Sequence, residues 1–251
     1  MPKSCCAFRM PGMDGVLIID KPVGMTSHDV VARVRRVTGH RRVGHTGTLD
    51  PFATGVLVTL IGRATRLAQF LSGNVKEYEA VIRLGYATDT GDVTGQRVTS
   101  LTPETQRHTE IEREEIEAAM ASLRGEIDQT PPMYSAKKIA GKKLYELARR
   151  GEEIDRPAVR VKISEFEALA PDGVLITSND DGSRDLRVRV VSSAGTYVRT
   201  LAEDFGKLLG VGAHVAELRR SRAGRFSIAE AVTLDQLNEL AESLKIESEA
   251  W

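Results

Sequence analysis

The sequence predicts an α+β protein with a mixed, largely antiparallel sheet core flanked by helices. Short apolar or alternating segments typical of strands are interspersed with amphipathic segments that follow helix-capping residues. The chain has 251 residues, of which 41% are hydrophobic and 28% charged, the composition of an ordinary globular protein. No internal repeat or low-complexity segment interrupts this pattern. We therefore expect one large domain or two small ones.

The first elements are a strand, a turn and a capped helix. Residues 15–20 form a short apolar run that a Lys-Pro-Val-Gly turn ends. Thr26 and Asp29 have the spacing of a capping box, and the valines that follow repeat at helical intervals to about Thr38. A loop rich in glycine then leads into an apolar strand over residues 55–61.

The later elements are predicted by the same patterns. A polar loop follows the first alternating strand, and a turn precedes the second. In chain order we expect a short helix at 63–71, a strand at 76–86, an acidic helix after the Thr109–Glu112 spacing, strands at 157–169 and 185–193, a helix to Leu209, and a last acidic helix at 235–245.

Several classes of function are unsupported by the motifs. The two cysteines, Cys5 and Cys6, are adjacent, and the five histidines are scattered, so we expect neither a disulfide framework nor a metal. Phosphate-binding fingerprints and a G-x-S-x-G elbow are absent. No stretch has the length of a membrane span, and residues 1–14 have the composition of a disordered lead-in. We expect a cytoplasmic protein without cofactor.

Charge is segregated along the chain, although 35 basic and 35 acidic residues cancel. Residues 1–76 hold 11 Lys/Arg and 4 Asp/Glu, and residues 131–150 hold 6 against 1. Residues 89–128 are acidic, with 4 basic residues against 10. Each basic block is either a solvated face or part of a one-sided surface for a polyanion, and sequence alone leaves both open.

The loop over residues 44–55 presents a single carboxylate, Asp50. Glycines at 44, 47 and 55 permit unusual backbone angles, and Pro51 fixes φ directly after the acid. Arginines at 33, 35, 36, 41 and 42 lead into this loop. Asp50 is either a turn-forming acid of a tight connection or a presented catalytic group.

Three further features have two interpretations each. Tyr78 is a core tyrosine or a functional one, and Arg199 is a surface cation or the partner of a buried acid. The basic stretch from Pro131 to Lys143 resembles a mobile arm over a polyanion, although a solvated helical hairpin fits its composition equally well.

Five ordered segments resemble the TruB-type tRNA pseudouridine synthases of the bacterial stand-alone type, over roughly residues 15–240. The GHTGTLDP string is the most specific of them. The segments are GVLIIDKPVGMTSHDVV, RRVGHTGTLDPFATGVL, KEYEAVIRLG with TDTGD, PPMYSAKKIAGKKLYELARRG, and SSAGTYVRTLAEDFG with GAHVAELRR.

The resemblance implies the pseudouridine synthase fold over residues 15–251 and isomerisation of uridine 55 in the T loop of tRNA, without metal or cofactor. It implies that Asp50 is the catalytic aspartate, Arg199 its charge partner, and Tyr78 the residue that packs on the target base. His45 would fill the space of the flipped nucleotide, and Tyr197 and Leu218 would line the pocket.

The resemblance also implies an RNA-clamping insertion at about residues 125–155 and a monomer that binds the T arm of tRNA. Many relatives carry a C-terminal PUA-type domain, which we do not expect here. Two other functions stay open: a tRNA-binding folding factor with incidental catalysis, and a synthase for another RNA. The expected RNA contacts are Lys21, Arg66, Lys137, Lys138, Lys142 and Lys143.

Overall fold

The chain forms two compact units in a computed structural model that describes residues 14–98, 111–135, 137–139, 141–148 and 150–249. The side chains at 138, 143 and 244–249 are outside this description. One unit combines the residues up to Asn74 with those from Arg219 onward, and the other is Val75–Leu218. Of the expected lead-in at residues 1–14, only Asp14 is described. No helix in the described ranges is long and apolar enough to cross a membrane.

The first unit begins with three strands and a helix. Strand β1 (Gly15–Lys21) pairs antiparallel with β3 (Thr54–Ile61), as does the short β2 (Val43–His45). Helix α1 (Ser27–Thr38) starts at the capping box of Thr26 and Asp29 and ends at a left-handed Gly39, as the sequence predicts. Its buried valines pack with Ile19 and Leu57, which fixes α1 against the sheet.

The helix expected at residues 63–71 is two shorter elements. Gly62–Leu67 is a 3₁₀ helix, and α2 (Ala68–Leu71) continues it for one turn. Ala64, Ala68 and Leu71 pack against a second core cluster that includes Phe226. Spacings of four and three residues place these three side chains on one face, so the remaining face points away from this core.

The second unit is an antiparallel sheet with two longer helices. Its central strand order is β4-β12-β10-β7, and the buried side chains Leu186, Val188 and Val190 confirm the predicted alternation of β12. Phe166 and Phe205 meet edge to face with ring centroids 5.5 Å apart. The elements are β4 (Lys76–Leu84), β5 (Ala87–Thr88), β6 (Arg97–Val98), α3 (Arg113–Ser122), β7 (Gly125–Gln129), β8 (Lys138–Ile139), β9 (Lys142–Lys143), α4 (Leu144–Ala148), β10 (Val159–Leu169), β11 (Ile176–Ser178), β12 (Arg184–Ser192) and α5 (Val198–Leu208).

Two expectations are corrected in this unit. The capping box of α3 is formed by Glu112 and Glu115, and Thr109 lies outside the described residues. The basic arm is a β-hairpin of β8 and β9 followed by α4, so the helical hairpin is wrong. The two-residue strands pair with each other on either side of a tight turn at Gly141, whose φ is +80°. Composition alone does not predict this pairing.

Three further elements end the chain: β13 (Ala213–Ala223), β14 (Phe226–Ser227) and α6 (Leu234–Glu249). From Arg219 onward they belong to the first unit. β13 pairs parallel with β3, with Arg219 opposite Thr54 and Arg220 opposite Gly55. This pairing beside antiparallel ones confirms the mixed, largely antiparallel sheet flanked by helices.

Candidate active site

Backbone hydrogen bonds hold the Asp50 loop from both sides. The Ser27 hydroxyl accepts from Leu49 N–H at 2.9 Å and donates to the Leu49 carbonyl at 3.2 Å. Gly24 N–H donates to the Pro51 carbonyl at 2.8 Å, and Ala53 N–H donates to that of Asp50 at 3.1 Å. The residues before and after Asp50 are thereby fixed, while its carboxylate stays half-buried. The loop presents an acid whose backbone is held in place.

Lys21 supports this loop from inside the protein and is completely buried. Its ammonium donates to the carbonyls of Met25 at 2.7 Å, Pro22 at 2.8 Å and Pro51 at 3.3 Å. Burial lowers its pKa to about 8, and the Asp50 carboxylate opposes that shift. Three backbone carbonyls thus accept hydrogen bonds from the Lys21 ammonium, and RNA contact by Lys21 stays a prediction.

Arg220 is a second buried cation under the same loop, with 2% of its surface exposed. Its Nε donates to the Val56 carbonyl at 2.7 Å and its Nη2 to the Gly47 carbonyl at 3.1 Å. The sequence analysis did not identify this contact. Every residue has a backbone carbonyl, so the sequence does not show which carbonyls accept hydrogen bonds from a buried arginine.

His45 ends β2, opposite Thr59 of β3, and is half-buried. Its ring meets the exposed ring of His28 edge to face, with centroids 5.6 Å apart and an interplanar angle of 85°. Burial lowers the pKa of His45, and the charge of His28 lowers it further. His45 is consequently a neutral ring at neutral pH, available for stacking.

Arg199 and Asp92 form a buried ion pair in the second unit. Arg199 lies in the first turn of α5, its Nη1 is 3.4 Å from Asp92 Oδ2, and their side chains are 4% and 6% exposed. The same guanidinium donates to the carbonyls of Thr90 at 2.9 Å and Tyr134 at 2.7 Å. Asp92 in turn accepts from Thr94 at 2.6 Å through the hydroxyl and 3.0 Å through the backbone. The arginine is held rigidly among acceptors.

Asp92 is a functional candidate that sequence reasoning missed. Its TDTGD string belongs to one of the resembling segments, and its only other signal was a carboxylate in a polar loop. Gly91, next to it, has φ of +70°, and a Cβ there would lie 2.3 Å from Glu203 Oε1. The turn therefore requires glycine and brings Asp92 against α5.

The other pocket candidates also belong to the second unit. Tyr78 is 6% exposed on β4, opposite Val190 of β12, and Leu218 is 7% exposed on β13. Tyr197 is half-buried before α5, where its N–H donates to Gln129 Oε1 at 3.0 Å and its carbonyl accepts from Gln129 Nε2 at 3.3 Å. Gln129 is buried and fixes the backbone that carries Tyr197 and leads into Arg199.

The expected RNA-contacting cations differ in their surroundings. Arg66 is exposed on the 3₁₀ helix, and Lys142 is exposed at the hairpin turn, with Lys137 half-buried before it. Lys138 and Lys143 pair across the hairpin through their backbones. Two leucines of α4, which are 0% and 3% exposed, anchor this hairpin.

The structure groups the candidates by unit. Lys21, His45, Asp50 and Arg66 belong to the first unit, and Tyr78, Arg199 and the remaining candidates belong to the second. The pairing of Asp50 with Arg199 stays a prediction. Among the described residues no group of three or more His, Cys, Asp or Glu side chains has the arrangement of a metal site.

Two family models match consecutive parts of the chain. The TruB family pseudouridylate synthase N-terminal domain matches residues 35–198, and the tRNA pseudouridylate synthase B C-terminal domain matches residues 199–250. The chain is 49% identical to the tRNA pseudouridine synthase B of Geobacillus thermodenitrificans over 229 residues, which cover 91% of this chain and 73% of that protein. It is 52% identical to the Mycobacterium sp. (strain KMS) protein of the same name, over 89% and 71% of the two chains.

Solved structures give the same fold. The crystal structure of a Cbf5-Nop10-Gar1 complex matches with a TM-score of 0.66 and 34% identity, over 90% of this chain and 54% of that one. The chain thus spans about half the length of that relative. Both family models and both sequence relatives agree with this likeness. The chain belongs to the TruB family of pseudouridylate synthases.

Proposed function

We propose that this protein isomerises uridine 55 in the T loop of tRNA to pseudouridine, with Asp50 as its catalytic carboxylate. The observation that carries the proposal is identity near 50% to proteins named tRNA pseudouridine synthase B, over about 90% of the chain. A backbone-fixed loop that presents Asp50 supports it. The Cbf5-Nop10-Gar1 structure is less similar in sequence, at 34% identity, so the proposal follows the relatives named tRNA pseudouridine synthase B.

The reaction begins with extrusion of the nucleotide. A uridine stacked inside an RNA loop hides its glycosidic bond, and flipping it out costs about a few kcal/mol. Stacking on an aromatic ring returns roughly 1–3 kcal/mol per base. Tyr78 would pack on the flipped base and His45 would occupy the vacated stack. A neutral His45 suits that role, because an uncharged ring loses less hydration when it enters a base stack.

The chemical step requires one carboxylate. Cleavage of the N1–C1′ bond needs a nucleophile or a group that stabilises an oxocarbenium ion, and an aspartate with a reference pKa of about 3.9 is ionised at neutral pH. Retaining glycosidases use a second carboxylate to activate water. Here the detached uracil rotates and bonds to C1′ through C5, the proton on C5 is then lost, and N1 takes up a proton, so atoms are conserved. Water must be excluded, and one carboxylate, Asp50, suffices.

Arg199 would set the charge of the site. A guanidinium beside a carboxylate stabilises the ionised form and opposes the rise in pKa that a closed pocket causes. Its contacts with Asp92, Thr90 and Tyr134 fix it before substrate arrives, so no reorganisation is needed at the moment of reaction. Asp92 acts through Arg199 and is therefore a positioning residue.

The proposal is tested with an unmodified T-arm transcript, wild-type protein, Asp50→Asn and a matched control. Asp180→Asn is the control because it removes an exposed carboxylate in the turn before β12. We expect pseudouridine from wild type and Asp180→Asn and none from Asp50→Asn, measured by mass spectrometry after derivatisation.

RNA binding by the same proteins separates the alternatives. Retained binding without product by Asp50→Asn supports the catalytic assignment. Product from Asp50→Asn at the wild-type rate would refute it. Absence of product from wild type with intact tRNA binding would favour the folding factor.

A further inference from the structure

The outer face of the segment that follows β3 carries an exposed aromatic residue among arginines. Its members are Arg63, Arg66, Leu67 and Phe70, which we name the arginine–phenylalanine face. Phe70 is 70% exposed and Leu67 is 43% exposed. Because Ala64, Ala68 and Leu71 fill the inner face, the fold gives Phe70 no core contact in which to bury its ring.

This face adjoins the strand that carries His45. Gly62 N–H donates to the Arg42 carbonyl at 2.8 Å, which ties the start of the 3₁₀ helix to the residue before β2. A Cβ at Gly44 would lie 3.9 Å from Thr65 Cγ2, so the helix packs directly on β2. The 3₁₀ helix that carries Arg63 and Arg66 therefore lies beside the strand that carries His45.

The surrounding charge is almost entirely positive. Residues 30–75 contain seven arginines and a single acid, Asp50. Arg41, Arg42 and Arg66 are exposed, and Arg63 pairs with Asp14 while its side chain stays 82% exposed. Such a field attracts a polyanion. Counterions released from the polyanion on binding make the affinity higher at low salt.

An exposed ring flanked by guanidinium groups is the arrangement that binds an unstacked nucleobase with its phosphates. A single exposed apolar side chain is common on any protein, but here Leu67 lies one turn before Phe70 and enlarges the apolar surface. A protein partner of matching chemistry would have to be strongly acidic, whereas tRNA supplies both the charge and the rings.

We propose that Phe70 is a stacking platform for a nucleobase of the tRNA outside the flipped position, with Arg66 on an adjacent phosphate. This inference rests on the proposed tRNA substrate and adds a contact that neither Asp50 nor the basic hairpin provides. The side chain of Leu67 supports the edge of the stacked base.

The test measures tRNA affinity over a series of salt concentrations for wild type, Phe70→Ala, Phe70→Trp and Arg66→Ala. Leu208→Ala is the matched control, since it truncates a side chain that is 56% exposed at the end of α5. We expect Phe70→Ala to weaken binding roughly tenfold with an unchanged salt slope, and Phe70→Trp to restore it. Arg66→Ala should reduce the slope by about one.

Equal tRNA affinities of Phe70→Ala and wild type would overturn the inference and favour a protein as the partner of this face. A change in melting temperature that accounts for the loss would also overturn it, because a ring 70% exposed has little part in folding. Failure of wild type to bind tRNA or to make pseudouridine would instead refute the proposed function. Leu208→Ala is expected to match wild type throughout.

Discussion

The guanidinium of Arg220 donates to the carbonyl of Gly47 at 3.1 Å across 173 positions of sequence. Gly47 lies three residues before Asp50, so this bond determines where the loop stands above the sheet. The same side chain binds Val56 on β3, and a single buried arginine thus joins the loop, β3 and β13.

Arg220→Lys should lower the free energy of unfolding by about 2–3 kcal/mol. A lysine cannot reach both carbonyls in the geometry of Nε and Nη2, and each buried acceptor left unpaired costs about 1–3 kcal/mol. Urea unfolding measures the loss. Arg225→Lys, at an exposed position on the next turn, should change stability by less than about 0.5 kcal/mol. Equal stability of the two variants would contradict the role of Arg220.

Gly55→Ala should lower the stability of the fold strongly, although it adds only one methyl group. Gly55 has φ of +98°, and an added Cβ would lie 2.3 Å from the Arg220 carbonyl oxygen. Backbone strain and the forced shift of β13 together cost about 3 kcal/mol or more. Gly73→Ala is the control, because its Cβ meets nothing within 4 Å. A melting temperature of Gly55→Ala equal to that of Gly73→Ala would refute the close approach.

Lys21 predicts a pH dependence of stability above neutrality. Its folded pKa is about 8 and its ordinary value is 10.5, so both states are protonated at pH 7 and the cost of burying the ammonium is then complete. Between about pH 8 and 10.5 the unfolded chain binds the extra proton, and the free energy of unfolding contributed by Lys21 rises with pH.

Urea unfolding of wild type and Lys21→Met at pH 7 to 10 checks this dependence. The methionine variant has no amine to titrate. The free energy of unfolding of wild type should therefore rise relative to that of Lys21→Met as pH increases through that window. A constant difference would show that Lys21 keeps its ordinary pKa.

His28→Asn should raise the pKa of His45. The charge of His28 lowers that pKa together with burial, and asparagine removes the charge while keeping a polar residue in the first turn of α1. Ring carbon chemical shifts followed by NMR against pH report the titration directly. His40→Asn, which changes a histidine two residues after α1, is the control. A His45 pKa that is the same in all three proteins would contradict the coupling.

Local signals in the sequence predicted local structure well. Thr26 and Asp29 cap α1 as expected, because a capping box lies within one turn of chain. Strand β13 was missed because its parallel partner β3 lies far away in the sequence. Strand β2 was missed for a different reason. β2 has three residues, too few for an alternation to appear.

The family resemblance proposed Asp50 and Arg199 as site residues, and their roles stay predictions. The side chains that support them were not proposed in that role. The supporting cations Lys21 and Arg220 were missed because charged side chains are rarely fully buried, and sequence does not reveal carbonyl acceptors. Asp92 was missed because its pairing with Arg199 depends on how the loop after β4 folds back onto α5, which the sequence does not show.

The discontinuous first unit sets an order of events during synthesis. A ribosome releases β1, α1, β2 and β3 first, and Arg220 follows only after the second unit of about 145 residues, which takes roughly 7–30 s at 5–20 residues per second. Until then the Gly47 carbonyl lacks its guanidinium and β3 lacks a parallel neighbour. The nascent chain therefore already carries Asp50, the proposed catalytic residue, before Arg220 exists to hold its loop, so we expect the loop to reach its final geometry only near the end of translation.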